Sequence, residues 1–450
     1  MSKDNMNSLS LKELEIFTWR RAQEQARLEF TQTLEELDKQ LAETRDKKRF
    51  YYHDKRSLQM ETFFGFIEVE RIYYKDTYTG NYVFLLDQAL QFEGANGFSP
   101  LVEESALELA AKGPSYRKAV DALEQFLGYK VMSHETLRQR MLEAEVLPIS
   151  EKRPSRRVLY VEVDGLFTKF QRSNQSGKEI KIAGVFEQWA VNGKRVSLQG
   201  KRHYVHKDKN RSFWEGFESF LEENYQYDPL ETLLVINGDG APWITACQEY
   251  FGKRAFYSLD RFHVAKELRS LFRDHKRYRA MRKALASYDP DQFLLELNSA
   301  VGTLKDEVKE EKLIDWIEFL TKHKQALTDY RKWLISKNIE TTGMRPMGSA
   351  EGMMNTFAKR LKNGRAWSEK GVMAVTNVLI GLRDNLDIKS TLGIWMKHHG
   401  DQNKPVYQKR QPSSLTRKKI NESTRNNLPY LLQPAGKPIV QALKAISYGF

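Results

Sequence analysis

The sequence predicts an α/β core joined to a long all-helical stretch, with a helical and β region ahead of both. Three observations carry this. Apolar, β-branched runs at 158–163 and 233–236 each lead into an acid and a glycine, Asp164-Gly165 and Asn237-Gly238-Asp239-Gly240. Strand and helix patterns alternate from 157 to 259. From roughly 261 to 340 the pattern is helical, with no strand-like run.

Taken in order, residues 1–56 form an N-terminal helical segment. Phe30, Leu34, Leu37 and Leu41 repeat at three- and four-residue spacing, so this helix must bury its stripe on the body or on a second copy. Residues 57–98 read as a small β unit, with a turn at Thr79-Gly80-Asn81. Residues 99–150 hold three short helices, opened by Ser99-Pro100, Ser115 and Ser133 and broken by Gly113 and Gly128. The third carries Arg138, Gln139 and Arg140, side chains that can reach base edges or phosphates, so the segment is helix-turn-helix-like or a plain helical connector.

Lys152 to Arg157 has linker composition. Strands are predicted at 157–164, 166–172, 180–190, 196–206, 232–237 and 254–259, with helices at 211–224 and from 241. These make 151–263 the first part of the core, with the helical stretch at 264–345, the second part at 346–400 and a basic tail at 401–450 that includes Lys409, Arg410, Arg417, Lys418 and Lys419.

Lys and Arg outnumber Asp and Glu by 72 to 59, a net charge of +13, which favours a polyanionic partner through release of condensed counterions. The single cysteine, Cys247, excludes an internal disulfide and a CxxC zinc site and suits a reducing cytoplasm. No apolar run approaches the roughly 20 residues of a membrane span, and the N-terminus lacks a signal-peptide core.

Chemistry concentrates in three acids. Asp164 and Asp239 each follow an apolar strand, and such positions face the crevice at the carboxyl edge of an open sheet. An Asp-Gly alone usually marks a turn, but two in one α/β segment point to a shared site. The third acid, Glu351, sits in Ser349-Ala350-Glu351, the first turn of a helix if Ser349 is the N-cap. Its competitors are Glu340, in a loop, and Glu369, beside Lys370. Asn355, Lys359 and Lys362 share the face of Glu351 at spacings that suit a phosphate backbone, although a solvated charged face is the commoner meaning. Arg360 and Arg365, close by in sequence, are further candidate DNA contacts. Gly165, Gly238 and Gly240 would let a DNA backbone approach. Carboxylate oxygens favour Mg²⁺ or Mn²⁺, with two ions expected at such a site. Asp260 and His263 stand one helical turn apart and suit a supporting or DNA-contacting role.

Asp164-Gly165, Gly238-Asp239-Gly240, Asp260-x-x-His263 and Ser349-x-Glu351 followed by Arg360 and Trp367 together resemble the DDE transposases of bacterial insertion sequences. From Thr62 onward the chain is similar to the ISLre-type members of the mutator-like branch. The resemblance implies an RNase H-like core with catalytic and metal-binding acids Asp164, Asp239 and Glu351, interrupted by an all-helical insertion. It implies that Lys266, Arg269, Arg273 and Lys276 contact transposon ends. It further implies DNA partners (terminal inverted repeats and target DNA), a homodimer or higher oligomer, and a bacterial cytoplasmic, nucleoid-associated location. A non-catalytic DNA-binding regulator and a structure-specific nuclease of the same fold are the alternatives.

Overall fold

In the computed structural model, residues 10–92, 97–148, 152–154, 156–174, 176–390 and 393–395 are described. The basic tail at 401–450 lies outside them. Ser10 caps the first helix, α1 (Leu11–Thr44), through a capping box with Glu13. The stripe through Leu34 lies against a hairpin of β1 (Phe50–Thr62) and β2 (Gly65–Asp76), burying Leu58, Met60, Ile67 and Val69. Phe30 and Leu34 of the predicted stripe are therefore covered by the chain's own β unit. Strand β3 (Tyr82–Phe84), helix α2 (Leu85–Ala89) and β4 (Gly97–Phe98) complete that unit, in sheet order β3-β2-β1-β4.

Three capped helices follow: α3 (Pro100–Lys112), α4 (Tyr116–Leu127) and α5 (His134–Glu143). Ser99, Ser115 and Ser133 each accept a backbone N–H of the first turn, and Gly128 closes α4 in the left-handed conformation. The α4–α5 connection covers 128–133, longer than the about 3–4-residue turn of a helix-turn-helix. A short strand, β5 (Glu145–Val146), ends the region.

The central sheet contains β6 (Val158–Phe170), β7 (Gly177–Phe186), β10 (Arg202–Val205), β11 (Leu233–Gly238) and β12 (Ala255–Leu259), in the order β10-β7-β6-β11-β12. The β6–β7 and β7–β10 pairs are antiparallel, while β11 runs parallel to both β6 and β12. A side hairpin, β8 (Gln188–Asn192) with β9 (Arg195–Gln199), lies between β7 and β10 in sequence. Two expectations change here. The strands predicted at 157–164 and 166–172 are one strand, β6, so Asp164-Gly165 is strand interior and not a turn. The residues of linker composition are tied down: Arg153 pairs through its backbone with Asn224 and Gln226, and Glu187 lies within 3.7 Å of Arg153 and 3.6 Å of Arg156.

Alternation along β6 separates two cores. Leu159, Val161 and Val163 face one side with Val185, Leu234 and Ile236. That side is covered by α6 (Phe213–Asn224), the short α7 (Pro242–Thr245) and α8 (Cys247–Phe251), and the helical stretch α9 (Arg261–Phe272), α10 (Tyr278–Ala286), α11 (Pro290–Asn298) and α12 (Glu307–Lys322). On the other side Val158 and Tyr160 pack on α13 (Tyr330–Ser336), while Leu166 packs on α14 (Ala350–Leu361) and α15 (Glu369–Asp384). The same core takes in Leu107, Leu123, Leu137 and Met141, so α3–α5 and the sheet bury one continuous apolar surface. Strand β13 (Ala366–Trp367) runs beside Lys169 and Phe170, and β14 (Ile388–Ser390) joins β5 to β15 (Gly393–Trp395). Among the described residues no helix is long and apolar enough to cross a membrane.

Candidate active site

Register brings three aspartates to one level. The last pairs across the parallel strands are Asn237 with Glu162 and Gly238 with Leu259. Carried on, the same registers set Asp239 beside Asp164 and Asp260 beside Asp239. Side-chain alternation within β6 puts Asp164 on the face occupied by Glu162, and Asp239 and Asp260 lie just past the ends of β11 and β12, close enough for their charges to act on Asp164. Asp239 follows the end of β11 and is exposed, its Oδ1 accepting the Ala241 N–H at 3.0 Å. Asp164 is half-buried, with Oδ1 accepting the Gly165 N–H at 2.7 Å.

Burial pushes the Asp164 carboxyl up to about 6; the negative charges of Asp239 and Asp260 add to the rise, against the Gly165 N–H and His263. Asp260 is buried and caps α9, accepting the Phe262 N–H at 3.0 Å on Oδ1 and lying 2.9 Å from His263 Nδ1 through Oδ2. That hydrogen bond is the main reason the His263 pKa rises, with the charges of Asp260, Asp164 and Asp239 assisting. The ring therefore faces the acids from the first turn of α9. A groove of about 460 Å³ opens beside Asp239 and His263, lined also by Lys266, Lys312 and Trp316.

Glu351 reaches this side of the sheet by a connection that the sequence reading missed. Glu162, two residues before Asp164, is 1% exposed. Its Oε2 accepts from Asn237 Nδ2 at 2.7 Å, and its Oε1 accepts the Gly348 and Ser349 N–H groups at 2.8 Å each. One buried carboxylate thus joins β6, β11 and the start of α14. Glu351 is half-buried in the first turn of that helix, with Oε1 accepting from Asn355 Nδ2 at 3.1 Å. Ser349 does not cap the helix as expected: its hydroxyl donates to Glu162 at 3.2 Å. Among the described residues no three carboxylate, histidine or cysteine side chains are grouped closely enough to hold a metal ion by themselves. The legible signal was an acid in an apolar strand, two residues from another acid.

The glycines beside the acids serve packing. A Cβ on Gly165 would meet Glu179 at 1.9 Å, on Gly238 Ile244 at 2.6 Å, and on Gly240 Phe319 at 2.4 Å. The protein itself fills the space that the sequence reading assigned to DNA.

The candidate DNA contacts divide. Lys266, Arg269, Arg273 and Lys276 are exposed, as are Gln139, Asn355, Lys359 and Lys362. Arg138 is partly exposed and held by Glu135, with Nη2 at 2.6 Å. Arg140 turns inward, 3.5 Å from the buried Glu103 and over the Phe98 ring. Arg360 is 3% exposed and donates to the Ala110 carbonyl at 2.8 Å. Arg365 spends Nη1 on the carbonyls of Lys359, Arg360 and Lys362 at the end of α14. Burial and carbonyl capping, which composition does not reveal, turn these arginines away from the exposed faces of α5 and α14.

Residues 4–394 match the model of an uncharacterised protein family, UPF0236. The chain belongs to this family. A UPF0236 protein of Streptococcus gallolyticus, named for the region 3′ of vanSb, is 28% identical over 368 residues, covering 79% of each chain. A UPF0236 protein of Caldanaerobacter subterraneus subsp. tengcongensis, whose name joins eleven numbered designations, is 26% identical over 437 residues, covering 92% of this chain and 87% of its own length. Among solved structures, a Drosophila P element transposase strand transfer complex aligns with a TM-score of 0.24 at 12% identity, over 66% of this chain and 82% of that one.

Proposed function

We propose that this UPF0236 protein is a DDE transposase with an RNase H-like core, which cleaves DNA at the ends of its own insertion sequence and joins the freed 3′-OH to target DNA. The observation that supports the reading is that Asp164, in β6, and Asp239, just past the end of the parallel strand β11, lie close enough for their charges to interact, with the Glu351 helix tied to the same strand pair through Glu162. The strand order β10-β7-β6-β11-β12, antiparallel on one side of β6 and parallel on the other, is the order expected of such a core. The exposed Lys266, Arg269, Arg273 and Lys276, on α9 and the turn after it, suit a phosphate backbone. The eleven-part name of the Caldanaerobacter relative supports a sequence present in many copies in one genome, as a mobile element would be.

The donor set suits a hard divalent cation, Mg²⁺ or Mn²⁺. Asp164 and Asp239 offer neighbouring carboxylates; burial raises Asp164 and the charge of Asp239 adds to it, a cost that a bound cation would relieve. Glu351 would complete the set from α14. Such ions activate an attacking oxygen and stabilise the leaving oxygen in phosphoryl transfer. His263, oriented by Asp260 through Nδ1, keeps Nε2 for a phosphate oxygen. Lys266, in the groove beside Asp239, would hold the backbone next to the acids. Two ends must be brought together for joining, so a dimer or larger assembly belongs to this reading.

The test is incubation of the full chain with a duplex carrying the inverted repeats that flank its coding region, in Mg²⁺, Mn²⁺ or chelator. Metal-dependent nicking at the repeat end, followed by joining, is expected. Asp164→Asn and Asp239→Asn should abolish both while keeping end binding. Nicking by the variants at the wild-type rate would overturn the assignment, and cleavage of branched DNA without joining would make the protein a nuclease.

A further inference from the structure

A second cationic site lies farther along β6, where β13 runs beside Lys169 and Phe170. There the N-terminal ends of α4 and α15 and the end of α14 enclose a cavity of about 330 Å³. Arg138, Arg360 and Arg365 line it, with Tyr116 and Trp367. Ser115 and Ser368, the N-cap residues of α4 and α15, line it too.

The charge on Arg360 has no counterpart among the described residues. Among the described residues it forms no ion pair, its Nη2 is buried without a hydrogen-bond partner, and the residue is 3% exposed. Its guanidinium lies over the rings of Trp367 and Tyr116, at 4.7 and 5.4 Å to the centroids. Arg365 adds like charge beside it. The Tyr116 hydroxyl is also buried without a partner, and burial raises its pKa, so it supplies no anion. A buried cation without an acid is unfavourable unless a counter-charge enters. The other features point to the kind of counter-charge. Two helix N-termini bring partial positive charge to the same cavity, and guanidinium groups match tetrahedral oxyanions.

We propose that this cavity is a phosphate-binding site, distinct from the aspartate row, whose occupant offsets the buried charge of Arg360. Trp367 is 7% exposed and both rings lie against Arg360, so the site recognises the phosphate and leaves little ring face for a base. The phosphate can come from a DNA backbone or from free phosphate, and the inference does not require catalysis at Asp164.

Titration of the full chain with inorganic phosphate, at ionic strength held constant with chloride, tests it by calorimetry and ³¹P line broadening. The wild type should bind phosphate, and Arg360→Gln should weaken binding about tenfold or more, the effect of about 1.4 kcal/mol. Should Arg360→Gln fail to fold, Arg138→Gln and Tyr116→Phe supply the readout, since Arg138 is partly exposed and the Tyr116 hydroxyl has no hydrogen-bond partner among the described residues. Both should bind phosphate more weakly with an unchanged Tm. Competition with duplex DNA separates the sources: displacement of DNA by phosphate marks the backbone as occupant, and phosphate binding without displacement marks a free phosphate. No binding by the wild type at millimolar phosphate, or equal affinity in all folded variants, would overturn the proposal.

Discussion

The buried carboxylate of Glu162 accepts the backbone N–H of Ser349 at 2.8 Å, joining β6 to the start of α14 across 187 positions of sequence. The same carboxylate takes Asn237 Nδ2, so strand, strand and helix move together. Replacing it with Ala leaves buried donors unpaired at about 1–3 kcal/mol. Glu162→Ala should therefore lower the Tm and raise amide exchange at 346–352, with DNA cleavage falling far more than DNA binding. Glu162→Gln keeps an acceptor for Gly348 and Ser349 and should restore most of the protection. Unchanged exchange at 346–352 in Glu162→Ala would show that this contact does not hold the helix.

The Asp164 carboxyl provides a pH signature that does not depend on turnover. Its pKa is higher in the fold, about 6, than the ordinary 3.8, so the folded state binds the proton more tightly. Stability from this group is fully present below about pH 4 and declines as pH rises to about 6. The rise corresponds to at most about 3 kcal/mol, and to about 1–2 once solvent screening of a half-buried group is allowed for. Asp164→Asn should raise the Tm at pH 7.5 without metal and flatten its slope between pH 4 and 6. Mg²⁺ should stabilise the wild type at pH 7.5 and leave Asp164→Asn nearly unmoved. A variant that gains as much from Mg²⁺ as the wild type would remove Asp164 from the ligand set.

Much of this site can be read from the residue string. Apolar runs leading to Asp164 and Asp239 predict strands, and Ser and Gly punctuation predicts α3–α5, because caps and helix ends depend on local sequence. Long-range packing was not legible. Gly165 continues a strand because the β6–β7 ladder runs on through it, opposite Lys181, and a local reading sees only an Asp-Gly turn. Arg140 and Arg360 resemble their exposed neighbours in composition, yet Glu103 and the Ala110 carbonyl draw them inward. The partners lie 37 and 250 positions away, beyond the reach of periodicity.

The inward turn of Arg140 divides the candidate recognition helix. Arg140→Ala leaves the buried Glu103 short of its 3.5 Å cation and should destabilise the fold by about 1–3 kcal/mol. Gln139→Ala, on the exposed side of α5, should leave the Tm unchanged. If α5 reads DNA, Gln139→Ala and Arg138→Ala should weaken end binding, with a base contact worth about 1–3 kcal/mol and a phosphate contact changing the salt slope. Isotherms that match the wild type over several salt concentrations would leave α5 as a structural helix.

The third acid is decided by comparing three glutamates. Glu351 follows, by two residues, the backbone held by Glu162, so its position relative to Asp164 is set by hydrogen bonds at 2.8 Å. Glu369 is exposed and occupied by Lys209 at 3.0 Å and Lys178 at 3.4 Å, and its pKa falls chiefly through the Lys209 hydrogen bond. Glu340 is exposed in the loop after α13, where nothing comparable fixes it. A metal ligand needs a fixed approach more than it needs proximity in sequence. Glu351→Gln should therefore stop cleavage and joining while retaining end binding, and Glu340→Gln and Glu369→Gln should keep most activity. Assays on intact and pre-cleaved ends in Mg²⁺ and Mn²⁺ separate the two steps. Joining at the wild-type rate by Glu351→Gln, with its loss in Glu369→Gln, would move the third ligand to the start of α15 and leave the Glu162 contact as a structural support.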